Sequence, residues 1–267
     1  MKKRLGLFLG IAISSLLLVT GCGNSEKSGS DEKEKTLKVV TDAEYPPFEF
    51  RDKGELVGFD VDFIAAVAKE AGYKSEVEHV AWEPLFDEIK SKRADAAVSA
   101  ITINDERKQT YDFSVPYFIS TNKILVPKDS AIKSAEDLKG KKVAVQTGTT
   151  GQAATESIVG KKNENIKQFE NNNLAILELK SGGADAVVAD NAVVEEYAKN
   201  NPDEGFTVVE DAVFEKEYYG VLFPKDSKLM EEFNKAINTL YENGTYAKIY
   251  KEWFGTEPDI ETLKSQQ

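Results

Sequence analysis

Two stretches of this chain spell the same step. Residues 92–100 read Lys-Arg-Ala-Asp-Ala-Ala-Val-Ser-Ala, and residues 181–190 read Ser-Gly-Gly-Ala-Asp-Ala-Val-Val-Ala-Asp. In each, a helical pattern ends, Ala-Asp turns the chain, and a short run of small apolar residues finishes on polar ones. A continuous apolar run of this length reads as a strand buried on both faces, as in a sheet covered by helices. In open α/β sheets, ligands sit beyond the carboxyl ends of strands. Two such strand ends, one per half, would frame a shared cleft. The same grammar also occurs without a shared cleft, so the echo alone leaves that open.

The surrounding pattern agrees with α/β. Residues 37–40 form a β-branched run, and the prolines at 46 and 47 force a turn or extended loop after it. Residues 59–72 place Phe63, Ala66, Val67 and Ala71 on one stripe, a helix ended by Gly72. A short helix is expected over 85–92, a strand over 96–98 and a charged helix from Asp105 to Gln109. A second unit begins after Leu125. It has strands at 142–145, 186–188 and 220–223 and helices at 152–159 and 174–180. Helices at 229–242 and 246–253 close the chain, punctuated by Asn243-Gly244. Strands alternating with helices predict α/β architecture with mainly parallel sheets.

Composition removes several functions. One cysteine excludes an internal disulfide, and one histidine leaves no His cluster for a metal. No cofactor or metal is expected. A formal charge of −12 argues against nucleic acid, whose phosphates need basic surface. The single histidine, His79, lies in an alternating strand pattern and reads as structural. No nucleophile–base pair is visible, so an enzyme is not expected.

The N-terminus reads as a targeting segment. Met1-Lys2-Lys3-Arg4 is basic, and residues 5–19 are apolar but short for a bilayer span. Val19-Thr20-Gly21-Cys22 resembles the lipobox of bacterial lipoproteins, with Cys22 the lipidated residue. Residues 1–21 would then be a removed signal peptide. Its loss takes three positive charges from −12 and leaves −15. Residues 22–36 are nearly free of large apolar side chains and read as a flexible tether. The lipid would anchor the protein without spanning, on the extracytoplasmic face of the cell membrane.

Candidate chemistry clusters at strand ends. Ala100 and Thr102 follow the 96–98 strand, and Arg107 sits where Asn104 or Asp105 can cap a helix. Arginine offers a bidentate fork to a carboxylate, although alone it is equally a surface ion pair. The run from Gln146 through Thr149 and Thr150 leads a strand into a helix, whose free N–H groups form an anion cradle or a plain turn. It lacks the Gly-Lys-Ser/Thr of a phosphate loop. Asp190, just beyond the 186–188 strand, can accept an ammonium or cap the next helix. Asp42 and Glu44 add acid after the first strand, and Tyr45 and Trp82 offer aromatic faces or core packing. Together these groups suit a zwitterionic amino acid.

The motifs are similar to those of the polar amino acid-binding proteins of ABC importers. Gly58-Phe59-Asp60-Val61-Asp62-Phe63 resembles their signature, as do residues 41–50, 101–107, 112–114, 148–151, 243–246 and 253–255. The resemblance covers residues 37–258. It implies a type II periplasmic-binding fold, two α/β lobes joined by two hinge strands. Lobe 1 would be residues 37–120 and 219–258, lobe 2 residues 121–218, and residues 259–267 a tail. It further implies that Arg107 clamps the α-carboxylate with the amides at Thr102 and Thr150. Asp190 takes the ammonium, helped by Thr102 and the Ala100 carbonyl. Tyr45 and Trp82 sandwich the side chain, which Asp42 reads. The best-known glutamine-binding member carries a lysine where Gln146 stands. A neutral Gln146 beside Asp42 and Glu44 favours a basic amino acid, namely arginine, lysine or histidine, with glutamine as the alternative. The segments 82–86, 149–154 and 189–193 look most like a Gram-positive basic amino acid-binding member. Expected partners are the amino acid and the permease subunits, with the protein acting as a monomer.

Overall fold

The computed structural model describes residues 35–267. The expected signal peptide, Cys22 and most of the expected tether lie outside the described residues. In chain order, β1 (Lys35–Thr41), β2 (Glu44–Tyr45), β3 (Glu49–Asp52), β4 (Glu55–Val57) and α1 (Phe59–Glu70) come first. Next are β5 (Tyr73–His79), α2 (Trp82–Lys90), β6 (Ala96–Ala97), α3 (Asp105–Lys108) and β7 (Tyr111–Phe113). The long strand β8 (Phe118–Pro127) leads to β9 (Val143–Gln146), α4 (Thr150–Val159), β10 (Ile166–Phe169), α5 (Asn172–Lys180), β11 (Ala186–Asp190) and α6 (Asn191–Asn200). The chain ends with β12 (Phe206–Val209), β13 (Lys216–Tyr219), β14 (Leu222–Pro224), α7 (Leu229–Glu242), α8 (Thr245–Phe254) and α9 (Ile260–Ser265).

Two main sheets result, ordered β5-β1-β6-β14-β7 and β10-β9-β11-β8-β12. Each is covered on both faces, because neighbouring strand residues point oppositely. Val39 packs with Phe59, Phe63 and Ile237 on one side, while Val40 packs with Leu85 and Ile89 on the other. In the second sheet, Val143 and Val145 share a face with Ile124 and Val188 and pack with Ile132 and Leu138, whereas Ala144 on the other face packs with Ala175 and Leu179. That double burial is why these strands read as apolar runs without alternation.

The sheets are mixed rather than mainly parallel. β1 pairs β5 and β6 in parallel, but β14 runs antiparallel to β6 and β7. β9 pairs β10 and β11 in parallel, but β8 runs antiparallel to β11 and β12. The reversed strands adjoin the two segments that pass between the sheets. β8 pairs β13 through Phe118–Thr121 before its far half enters the second sheet. Return through β13 then delivers β14 to the first sheet. Local pattern carries no sign of strand direction, which follows from these crossings.

Two other expectations are corrected. The stretch expected as a C-terminal tail, residues 259–267, contains a short helix. α9 forms there, Asp259 accepts a hydrogen bond from the Thr262 N–H, and Leu263 is buried. One apolar anchor in six residues is too little periodicity to read. Helix α2 begins at Trp82 rather than Leu85, with Pro84 in its first turn, where no intrahelical donor is lost.

One contact brings the first helix to the site. Gly58 (φ 141°) lies against β3, and a Cβ there would meet the Phe48 carbonyl oxygen at 2.0 Å. Only glycine permits that approach. The Phe59 and Asp60 N–H groups donate to the Pro47 and Phe48 carbonyls at 3.0 and 2.9 Å.

Candidate ligand-binding site

One cavity of about 310 Å³ opens between the two sheets' strand ends. It is lined by Asp42, Tyr45, Trp82, Ala100, Thr102, Arg107, Gln146, Thr149, Thr150 and Asp190, together with Ser99. These residues span more than a hundred positions of sequence. The strand-end geometry collects them, since β1, β6, β9 and β11 all finish here.

Glu44 is the departure. Strand alternation turns Tyr45 into the cavity and Glu44 away from it. Its carboxylate accepts from Asn171 Nδ2, and its carbonyl accepts from Asn173 Nδ2 at 3.2 Å. Glu44 therefore ties β2 to the start of α5, and reaches the site only through its charge.

Arg107 is placed by local capping. Asn104 Oδ1 accepts from the Arg107 N–H at 2.9 Å and starts α3. The guanidinium donates through Nη1 to the Thr102 carbonyl (2.9 Å) and through Nη2 to the Gly148 carbonyl (3.3 Å). Its carbon lies 5.3 Å from the ring centroids of both Trp82 and Phe86. Stacked on the rings and hydrogen-bonded to two carbonyls, it remains a full cation at the cavity. Burial lowers its pKa, while Glu217 and Asp190 push it back up.

Opposite Arg107 stands the start of α4. Thr149 caps it, accepting from the Gln152 N–H at 3.2 Å and donating to the Gln146 carbonyl at 2.8 Å. Gly151 packs so closely on β11 that a Cβ would lie 2.8 Å from the Val188 carbonyl oxygen. The helix start is thus pressed against the second sheet with its first N–H groups at the cavity edge.

Asp190 ends β11, and its side chain makes no capping bond to α6. Instead Oδ2 accepts from the Tyr45 and Tyr219 hydroxyls at 2.6 and 2.5 Å. Burial, then Glu217, raises its pKa to about 7. Asp42 is 4 % exposed, and its pKa also rises to about 7, from burial and then Glu44. Gln146 Nε2 approaches Asp42 at 3.4 Å and donates to the Glu170 carbonyl at 3.1 Å. Asn172 Nδ2 donates to Gln146 Oε1 at 2.7 Å, fixing the amide with its NH₂ toward the acid. The cavity thus holds two buried carboxyls, Asp42 without a cationic neighbour and Asp190 only partly offset by Arg107.

Three residues escaped sequence reasoning. Ser99 lies between the expected strand 96–98 and the site residue Ala100, a signal that was available. Glu217 accepts from Thr102 Oγ1 (2.7 Å), Thr150 Oγ1 (2.9 Å) and Asn122 Nδ2 (2.8 Å). Tyr219 holds Asp190 and bridges Thr102. Both lie in β13, whose local sequence carries no motif. His79 is structural: its Nδ1 accepts from the Ala43 N–H at 3.0 Å.

The family described as bacterial extracellular solute-binding proteins, family 3, matches residues 37–256. A protein of Neisseria gonorrhoeae named a probable histidine-binding protein is 40% identical over 260 residues, covering 96% of this chain and 97% of that one. The crystal structures of the arginine-, lysine-, histidine-binding protein ArtJ from Geobacillus stearothermophilus include a chain 50% identical to this one. It has a TM-score of 0.84, and the alignment covers 86% of this chain and all of that one. An ancestral arginine-binding protein solved bound to glutamine is 43% identical, with a TM-score of 0.78, covering 84% and 99%. Both sheets, their crossing strands and the shared strand-end cavity are the type II periplasmic-binding fold. The chain belongs to family 3 of the bacterial extracellular solute-binding proteins.

Proposed function

We propose that this protein captures a basic L-amino acid in the cavity and delivers it to the permease of an ABC importer. Arg107 and the α4 start take the α-carboxylate, Asp190 takes the α-ammonium, and Asp42 meets the cationic side chain. The observation that carries this reading is one cavity lined by one buried cation, Arg107, and two separate buried carboxyls, Asp42 and Asp190, both with raised pKa. A basic amino acid supplies one anion and two cations, the complementary set. Buried charge is tolerated only when so paired. The similarity to basic amino acid-binding relatives supports the same ligand class. Glutamine is the second reading, supported by the glutamine-bound ancestral relative and the neutral Gln146.

Residues 37–120 with 219–258 and residues 121–218 act as two lobes that close on the ligand, shifting an open–closed equilibrium. The protein binds rather than catalyses. Cys22 carries a lipid anchor, and the tether expected over residues 22–36 ends before Lys35, where β1 begins. Incorporation of labelled fatty acid tests the anchor, and Cys22→Ala should abolish it. Calorimetry with the twenty amino acids tests the ligand. Heat from glutamine with none from arginine, lysine or histidine would sink the basic assignment. Silence from all twenty would sink the class.

Asp42→Asn discriminates the two ligands. Arginine affinity should fall about tenfold to a hundredfold, the cost of a charged hydrogen-bond partner. Glutamine should change only a fewfold. Equal losses would show that Asp42 does not read charge.

The raised acids also set a pH dependence. A cationic ligand binds ionised carboxylates, and without one Asp42 and Asp190 take up protons below about pH 7. Arginine binding should then expel them, so affinity should decline from pH 7 toward pH 5, approaching tenfold per pH unit for each acid. Above pH 8 it should level off. Calorimetric proton release measured in two buffers checks the sign, and binding indifferent to pH between 5 and 8 would contradict it.

A further inference from the structure

A second acid cluster lies beneath the cavity. Glu49 opens β3 and Asp60 stands in the first turn of α1, and both are 0 % exposed. The Gly58 contact that presses α1 onto β3 also sets these carboxyls against each other, within hydrogen-bonding reach. Each has one oxygen that receives no donor, Glu49 Oε2 and Asp60 Oδ1. Two buried carboxylates facing each other without a cation would be prohibitively costly. A single proton between the two undonated oxygens removes that cost.

We propose that Glu49 and Asp60 share one proton, and that the resulting neutral-acid–carboxylate pair positions the cavity residues Ser99, Ala100 and Asp42. Their remaining oxygens reach three points of the lining. Ser99 Oγ donates to Glu49 Oε1 at 2.6 Å and in turn accepts from the Asp42 N–H at 3.1 Å. The Ala100 N–H donates to Asp60 Oδ2 at 2.7 Å, and the Tyr117 hydroxyl joins at 2.9 Å. Ala100 holds a left-handed backbone (φ 47°), a strained choice for a residue with a Cβ. The Asp60 bond offsets that strain and fixes where the Ala100 carbonyl points.

The proton resides on Glu49. Asp60 accepts two hydrogen bonds at one oxygen and lies in the first turn of a helix, where negative charge is favoured. Glu49 accepts one bond, and burial, then the charge of Asp60, raises its pKa well above the usual carboxylate range. Asp42, Tyr45, Tyr117 and Tyr246 are the other titratable groups coupled to the pair, and none of these is cationic.

Infrared spectroscopy of the purified, ligand-free protein at about pH 8.5 tests the proton directly, since Asp42 and Asp190 are ionised there. The wild type should show a protonated-carboxyl C=O stretch that Glu49→Gln lacks. Absence of that band from the wild type, or its persistence in Glu49→Gln, overturns the proposal. The positioning half rests on the proposed arginine reading. Glu49→Gln reproduces both the donor and the acceptor and should keep arginine affinity within about threefold. Glu49→Ala strands Ser99 and Asp60 and should lose about tenfold or more at unchanged stoichiometry. A wild-type-like Glu49→Ala, or a Glu49→Gln as weak as Glu49→Ala, overturns that half. If arginine fails to bind the wild type, the ligand assignment fails, while the infrared band still decides the shared proton.

Discussion

Arg107→Ala should reduce affinity for every amino acid by at least about a hundredfold, whatever its side chain. Loss of one member of a desolvated charge pair costs roughly 3–5 kcal/mol, because the abandoned partner stays buried. At 1.4 kcal/mol per decade this is about two to three and a half decades of affinity. The environment adds to the loss, since the charge of Glu217, which Arg107 offsets, remains near the ligand carboxylate. Arg107→Lys retains charge but not the fork held by the Thr102 and Gly148 carbonyls, so it should recover only part. Titration calorimetry with arginine and glutamine measures both. An Arg107→Ala protein that binds either ligand within tenfold of wild type would remove Arg107 from the carboxylate clamp.

Asp190→Asn should separate binding from stability. Affinity for all amino acids should fall about a hundredfold or more, because the common α-ammonium loses its counter-charge. The ligand-free protein should nevertheless melt higher. In the folded state the Asp190 pKa is raised to about 7, so below the ordinary carboxylate value folded and unfolded forms are both protonated. As pH rises from the ordinary carboxylate value to about 7, the unfolded form ionises while the folded form holds the proton, so stability is lost across that window and levels off above it. Asparagine carries no such burden and still offers its carbonyl oxygen to the Tyr45 and Tyr219 hydroxyls. The gain in melting temperature should be larger at pH 8 than at pH 5. A loss of stability at pH 8 would show that Asp190 is chiefly a structural acceptor. The wild type therefore keeps a destabilising charge where the ligand needs one, as binding sites commonly do.

Much of the fold was readable because its signals are local. Helix α7 was expected at its observed bounds, residues 229–242, since fourteen residues give a full amphipathic stripe. The small-residue strands β6 and β11 announced themselves by apolar runs after Ala-Asp turns. Cavity residues at strand ends and helix starts were legible for the same reason: Asn104, Thr149 and the glycines punctuate those positions. Glu44 and Tyr45 differ by one position, and no sequence pattern says which of two neighbours in a two-residue strand faces inward. Glu217 and Tyr219 lie in a strand whose role comes from passing between sheets. The Glu49–Asp60 pair depends on a backbone approach at Gly58 that only the folded chain reveals.

By itself the sequence determined the α/β alternation, the strand ends where polar groups emerge, and the inventory of one arginine, several acids and aromatics. Those follow from periodicity, capping and side-chain chemistry, which act over a few residues. Tertiary structure alone decided strand direction, which acids enter the cavity, and how far burial moves their proton affinities. Those properties depend on distances between residues remote in the chain and on the exclusion of water, neither of which is a local quantity.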